Sequence, residues 1–380
     1  MSSQFGSSSN MGFVPAPVAQ MPWRILSLVT AIGLFDLLVL YSAAGGHIRP
    51  WALSQGIRFF VFLGAAMALS RVRVSVWNAI SLPAYGVLCL MLVAVEALGH
   101  ISGGSQRWLD FGVGVRIQPS ELMKPCIVLA LAKFYDMLPA AETRKFGAIW
   151  PALVLIGIPA ALVMLQPDLG TAMMITASGI TVMFLAGIPL RIFLGGGLAA
   201  AIAAPLAFNF VLHDYQRNRI LTFLDPESDP LGTGYHISQS KIAIGSGGIF
   251  GKGFLNGTQS HLDYLPEGHT DFALATMMEE WGLIGGVLLI LAWFTIIWWA
   301  VNISLRAQGR FQRLTAAGLA TTLFFYVSIN MAMVMGLAPV VGVPLPLISF
   351  GGTAQMTVMI CLGILMSIDR QSREQQRSNW

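Results

Sequence analysis

Apolar runs, each long enough to cross a lipid bilayer, divide almost the whole chain. A transmembrane helix needs about 20 largely apolar residues, and such runs fall at 25–44, 52–70, 76–98, 119–137, 149–166, 169–188, 190–212, 271–301, 314–337 and 350–368. In hydrocarbon every backbone N–H and C=O must find a partner inside the protein, so open runs of this length are restricted to helices. The fold class is therefore an all-α, polytopic membrane bundle of about ten transmembrane helices. Composition agrees, because 55% of the residues are hydrophobic and only 11% charged, against roughly 25% charged in soluble chains.

Basic residues orient the bundle, since short loops rich in Lys and Arg stay in the cytoplasm. Arg24, Arg71, Arg73, Arg144, Lys145, Arg191, Arg306, Arg310, Arg313, Arg370, Arg373 and Arg377 fall on one side, which places both termini in the cytoplasm. The chain then divides into a disordered N-terminal tail (1–22), a membrane domain (23–370) and a cytoplasmic C-terminal tail (371–380). A large extracytoplasmic loop, 213–270, joins helices seven and eight, and its stretch 235–244 is expected as an interfacial helix. The uncharged start of the chain lacks the basic region of a signal peptide. The net charge of +4 follows from the inner basic loops and anionic lipid and gives no reason to expect nucleic acid. Cys89, Cys126 and Cys361 lack metal-type spacing and are assigned to packing. The stretch Gly245–Gly253 is not a nucleotide loop, because Ser246 replaces a required glycine and Gly253 follows Lys252 where a hydroxyl is needed. It reads as a turn-rich lid or as a backbone cradle for a phosphate.

Four polar clusters interrupt the apolar runs, all on the outer side: Gln118-Pro119-Ser120-Glu121 with Lys124, Gln166-Pro167-Asp168, His269-Thr270-Asp271, and 344–352. Ionisable groups at such depth are costly and mark function. Glu121 and Lys124 share a helix face; either they neutralise each other, or Lys124 keeps a carboxylate ionised in a low-dielectric cavity. Asp271 either steadies a helix start through the macrodipole or, with His261, Asp263, Glu267 and His269 near it in sequence, moves protons or binds a cation. Thr270 offers a separate capping oxygen. Asp168 reads as an N-cap. Glu279 and Glu280, about two turns further on, are expected to buttress Asp271, and Asp36 and Glu96 to snorkel or pair with arginine. Arg49, Arg58, Arg217, Arg219, Lys241 and Lys252 face lipid headgroups or a phosphate group. Trp108, beside Arg107, suits a sugar or the bilayer interface. Spacing identifies no metal, so that assignment stays unknown.

Together these motifs are very similar to those of the SEDS (shape, elongation, division and sporulation) family, over nearly the whole chain from about Trp23 to Arg370. The carriers are Gln106-Arg107-Trp108-Leu109-Asp110, Gln118-Pro119-Ser120-Glu121 with Lys124, Gln166-Pro167-Asp168-Leu169-Gly170-Thr171, and 253–271. Residues 256–267 and 344–352 favour the elongation branch over the division branch, although Phe350 stands where tyrosine is more usual. The resemblance implies a peptidoglycan glycosyltransferase in the bacterial cytoplasmic (inner) membrane. Such an enzyme polymerises lipid II at the outer face during cell elongation, with inversion at the anomeric carbon. It implies Asp271 as general base, with Glu121 and Lys124 positioning or tuning it. An outward arginine or a divalent cation, magnesium or manganese, would stabilise the departing pyrophosphate. No nucleotide cofactor is needed, because the substrate carries its own leaving group. The implied partners are a class B penicillin-binding protein as transpeptidase and other membrane proteins of the elongation complex. Two rivals stand beside this reading. A lipid II flippase needs polar access from both faces, where the inner face offers only short basic loops; a non-catalytic scaffold of the wall-elongation complex leaves Glu121, Lys124 and Asp271 unexplained.

Overall fold

The computed structural model describes residues 21–102, 105–110, 112, 116–210, 214–225, 229, 232–262 and 264–378. The expected tail, save its last two residues, and Asp263 lie outside them. Each expected span is a helix with ends shifted by a few residues: α1 (Trp23–Ala43), α2 (Trp51–Leu69), α3 (Val74–Leu98), α4 (Pro119–Met137), α5 (Phe146–Leu165), α6 (Leu169–Leu185), α7 (Leu190–Phe210), α11 (Ala273–Arg306), α12 (Arg310–Val334) and α13 (Gly352–Ser378). Between α7 and α11 come α8 (Asp214–Leu224), α9 (Thr233–Gly247) and the single turn α10 (Thr258–His261). The stretch expected to be an interfacial helix is thus contained in α9, and α13 continues through most of the expected C-terminal tail. One element was not anticipated. Strands β1 (His100–Ser102), β2 (Ser105–Asp110) and β3 (Arg116–Ile117) form a small antiparallel sheet in the order β1-β2-β3, with Leu109 opposite Ile117.

Eight of the helices are long and apolar enough to cross a membrane on their own account. The other two long helices differ for a physical reason. Helix α4 carries Glu121, Lys124, Lys133 and Asp136, and α6 has only 17 residues. Helix α4 is enclosed by protein: it packs on α3, α5, α6, α12 and α13, and its stretch Met123–Ala132 is buried throughout, so protein neighbours, not lipid, supply the surroundings that its charges need. Helix α6 packs on α4, α5 and α12 and leaves Met173, Ile180 and Phe184 exposed on its other side.

Small residues set how closely the hub closes. A Cβ at Gly318 of α12 would lie 2.5 Å from Val128 Cγ1 on α4 and 2.7 Å from Val182 on α6, and one at Gly179 of α6 would lie 2.6 Å from Ile156 on α5. Where α6 begins, a Cβ at Gly170 would meet the carbonyl oxygen of Val341 at 2.5 Å. That contact brings the irregular stretch before α13 against the start of α6.

Helix α11 is interrupted. Gly282 has φ 63° and ψ −162°, a conformation in effect restricted to glycine, so the helical ladder stops and restarts. The exposed peptide groups are paired by the strand of chain that follows α9. Lys252 and Gly253 donate their N–H groups to the carbonyls of Glu279 and Glu280, each at 3.0 Å, and Leu283 and Ile284 donate to Gly248 and Ile249 at 2.9 and 3.2 Å. Only glycine fits at 251, where φ is 80° and a Cβ would lie 2.0 Å from the Glu280 oxygen. The glycine-rich stretch is therefore a plug for the broken helix. The amides of Lys252 and Gly253, which a phosphate cradle would need, are already spent.

The close approach at Gly318 is testable by melting in detergent. Gly318→Leu is expected to lower the unfolding midpoint, at a cost of about 1–3 kcal/mol from overpacking. Gly195→Leu on α7, where nothing lies within 4 Å, should melt as the parent does. Equal midpoints for both variants would contradict the tight α4–α12 contact.

Candidate active site

All four polar clusters meet at the end of the bundle that carries the sheet and residues 232–272. Asp271 stands two residues before α11 and is half-buried. Asn330 of α12 fixes its backbone, donating from Nδ2 to the carbonyls of Asp271 at 3.0 Å and Val343 at 2.7 Å. Phe350 donates its N–H to His269 at 2.8 Å, which ties the stretch before α13 to the same turn. Thr270 does not cap α11; its hydroxyl donates to Glu267 Oε2 at 2.5 Å. The cap position is Phe272, without a side-chain cap, so the Asp271 carboxylate is not consumed by the helix.

Its environment raises its proton affinity. Burial first, then the Glu267 and Asp168 carboxylates, push the Asp271 pKa from 3.8 up to about 6, against the opposing pull of Arg219 and Arg107. A carboxylate with a pKa near working pH is ionised enough to accept a proton and basic enough to hold it.

The neighbouring clusters are stitched together by polar contacts. Asp168 caps α6, accepting from the Thr171 N–H at 3.0 Å, and also accepts from Gln118 Nε2 at 3.1 Å. Arg107 on β2 reaches the same corner. Its Nε donates to the Gln166 carbonyl at 3.0 Å, another guanidinium nitrogen donates to the Pro167 carbonyl, and Nη1 lies 3.9 Å from Asp168. The expected capping role of Asp168 is present, and with it a role in setting the field around Asp271.

Glu121 and Lys124 make a separate buried unit. Lys124 Nζ donates to Glu121 Oε1 at 2.6 Å and to the Tyr326 hydroxyl at 3.1 Å, while that hydroxyl donates to Glu121 Oε2. Lys124 and Tyr326 are fully buried and Glu121 is 4% exposed. The unit bonds α4 to α12, and the charges named above for Asp271 come from other residues.

The remaining expected residues are dispersed. Arg58 lies over the Phe350 ring at 5.2 Å. Trp108 is half-buried on β2, and Arg49 is exposed just before α2. Arg217 donates to the Asn209 carbonyl at 2.7 Å, Arg219 acts on Asp271, and Lys241 lies across Gly336. Lys252 donates to Glu279 at 2.6 Å and to Thr258 at 2.7 Å. Two expectations are corrected. Glu279 and Glu280 do not buttress Asp271: Glu279 holds Lys252, Thr258 and the N–H of Gln259, and Glu280 accepts from Ser42 and faces His261 at 3.8 Å. Their carboxylates turn toward Lys252, the turn at 258–259 and Ser42, whose donors they accept. Asp36 pairs with Gln55, at 3.0 Å, and not with an arginine.

Two hollows adjoin the C-terminal end of α1 and the N-terminal end of α2. One is an apolar groove of about 560 Å³ along α1 and α2, lined among others by Leu37, Tyr41, Ile48, Ala52, Leu53 and Phe254. The other is a polar cavity of about 260 Å³ bounded by Trp51 of α2 and the turn 265–269. Among the described residues no group of three or more His, Cys, Asp or Glu is gathered to hold a metal. The sequence reading missed Arg107 as a partner of Asp271, Tyr326 as the third member of the Glu121–Lys124 unit, and Asn330. Tyr326 and Asn330, four apart and therefore on one face of α12, carried a signal that spacing makes visible.

The family model for the cell cycle proteins FtsW, RodA and SpoVE matches residues 19–374. The chain is 44% identical over 347 residues to the peptidoglycan glycosyltransferase MrdB of Escherichia coli (strain K12), covering 90% of this chain and 92% of that one. It superposes on a chain from a solved peptidoglycan synthase complex, described as coordinating polymerization and crosslinking, with a TM-score of 0.80 and 31% identity over 93% of this chain and 98% of that one. The rod shape determining protein RodA of Thermus thermophilus matches at a TM-score of 0.70 and 26% identity, covering 92% of this chain and 97% of that one.

The field at Asp271 predicts its titration. Difference infrared spectra between the parent and Asp271→Asn should show a carboxylic acid C=O band that is half-lost near pH 6, and Arg107→Gln should move that midpoint upward. A carboxyl that stays ionised down to pH 4 in both proteins would contradict the arrangement.

Proposed function

This chain belongs to the SEDS family of membrane proteins, and from that premise we propose that it polymerises glycan strands from lipid II during cell elongation. As a peptidoglycan glycosyltransferase of this family it takes a lipid-linked disaccharide. The loop end of the bundle faces the extracytoplasmic side, both termini face the cytoplasm, and the membrane is the bacterial cytoplasmic one. The observation that carries the reading is the half-buried Asp271, its pKa raised to about 6, beside Arg107 and Arg219.

In the proposed reaction Asp271 accepts the proton of the 4-hydroxyl of the acceptor GlcNAc. That oxygen forms a bond to C1 of the donor MurNAc, the C1–O bond to phosphate breaks, and undecaprenyl pyrophosphate departs with the bonding pair, inverting C1. Arg107 and Arg219, whose charges act on Asp271, meet the departing charge in this reading. A divalent cation, magnesium or manganese, would supply further positive charge to stabilise the departing pyrophosphate. The groove along α1 and α2 offers an apolar path for the polyprenyl chain. Glu121, Lys124 and Tyr326 act as positioning residues, holding α4 against the helix whose Asn330 fixes Asp271. The partner is a class B penicillin-binding protein, in keeping with the solved complex in which a similar chain takes part in polymerization and crosslinking.

The test is polymerisation of lipid II by the purified protein with its matched penicillin-binding partner, transpeptidation blocked. Asp271→Asn should lower the rate by about 10²–10⁴, the usual worth of a general base, and the parent kcat/KM should fall as pH drops through about 6, where Asp271 becomes protonated. Strands made equally by the folded, partner-bound variant would remove Asp271 from the role. No strands from either would favour the flippase or the scaffold.

A further inference from the structure

The polar cavity bounded by Trp51 and the turn 265–269 has features that the reaction above does not use. One wall is a stacked pair, the Trp51 and His269 rings, 4.0 Å apart at 10°. The other walls are Ala43, Leu265, Pro266, Gly268, Ser260, Thr276 and Glu267. At about 260 Å³ the cavity falls below the roughly 300 Å³ at which sites for drug-sized ligands begin, so it takes one ring and not a whole lipid-linked disaccharide.

Its charge selects the ligand. No Lys or Arg is among the lining residues; the single formal charge is the Glu267 carboxylate. Burial lowers the proton affinity of His269, partly offset by Glu267, so the imidazole is neutral at physiological pH and offers one donor and one acceptor. A phosphate would be repelled here. An uncharged ring with several hydroxyl or amide groups would find an acceptor in Glu267, mixed partners in His269 and Ser260, and flat apolar walls for its C–H faces.

Glu267 is aimed at some cost. It holds a left-handed backbone, φ 54°, that a non-glycine residue seldom adopts. The turn is locked because the N–H groups of Thr270 and Phe272 both donate to its carbonyl, at 3.0 and 3.2 Å. Strain of this kind clusters where a side chain must point in one direction. Here that direction leaves the Glu267 carboxylate close enough to Asp271 to act on its charge.

We propose that this cavity is a saccharide subsite, in which Trp51, His269 and Glu267 seat one N-acetylated sugar ring of the substrate at the turn that precedes Asp271. The inference deepens the function proposed above and rests on it for the identity of the substrate, but not for the recognition of a sugar. Glu267 accepts hydrogen bonds from ring hydroxyls in substrate and transition state alike, a binding role that adds to its effect on the charge of Asp271. These are positioning residues; the proton moves to Asp271.

Two measurements test it. In polymerisation with the partner bound, Trp51→Ala should raise KM for the lipid-linked disaccharide about tenfold or more with kcat little changed; Glu267→Gln should raise KM by a similar factor through loss of a charged hydrogen bond and move the acid limb of the pH profile to lower pH, because Glu267 raises the Asp271 pKa. Trp51→Phe, which keeps an aromatic wall, should restore most of the loss. Separately, saturation-transfer NMR on the full-length Asp271→Asn protein with chitotetraose should show transfer to sugar protons that Trp51→Ala abolishes. An unchanged KM in both variants, melting as the parent does, would overturn the subsite, as would sugar transfer that ignores Trp51. Should the parent make no strands while Trp51-dependent sugar transfer persists, the polymerase reading fails and the subsite stands.

Discussion

A helix broken within a bilayer survives only where protein pairs the peptide groups that the break exposes. The outer half of this molecule depends on that condition. Gly282 ends the first part of α11, and the chain after α9 runs through the gap, taking the carbonyls of Glu279 and Glu280 and supplying carbonyls to Leu283 and Ile284. The same two glutamates use their side chains to hold Lys252, Thr258, Ser42 and the turn at 259. Backbone and side chain thus secure one segment from both directions. The first part of α11, with Asp271 at its head, rests on a fixed base, and the long connection between α7 and α11 is a structural part of the site.

Two electrostatic solutions lie within this frame. The Glu121–Lys124 pair is fully enclosed, neutral overall and completed by the Tyr326 hydroxyl, which is the condition for a buried pair to be tolerated. Removing one member would leave a charge without a partner, at a cost of about 3–5 kcal/mol. Asp271 is arranged in the opposite manner: two further carboxylates act on it, the guanidinium groups of Arg219 and Arg107 pull against them, and its affinity for a proton rises. The first arrangement makes a rigid strut between α4 and α12; the second makes a group that changes protonation state. Asn330 joins the two, because it stands on the strut helix and holds the carbonyl of Asp271.

The spans were legible because a run of apolar residues leaves a chain in lipid so few alternatives. Helix α4 was found by its length in spite of its charges, and the pairing of Glu121 with Lys124 by their spacing. What spacing does not reveal is which carboxylates converge. Glu279 and Glu280 lie on the helix that Asp271 precedes, yet their partners are Lys252, the turn at 258–259 and Ser42. Arg107 lies in a loop whose fold into a small sheet no periodicity announced, and only that sheet carries its guanidinium to Asp168. The glycine-rich stretch 245–253 reads locally as a flexible turn, since its partners are main-chain groups some 30 residues away that hydropathy does not distinguish.

The most direct measurement is a structure of the Asp271→Asn protein with its penicillin-binding partner and two molecules of lipid-linked disaccharide. The account predicts the acceptor 4-hydroxyl within hydrogen-bond reach of residue 271, about 2.6–3.2 Å, with the pyrophosphate of the donor near Arg107 or Arg219. An acceptor hydroxyl seated instead against Glu121, or disaccharides bound away from residue 271, would contradict it.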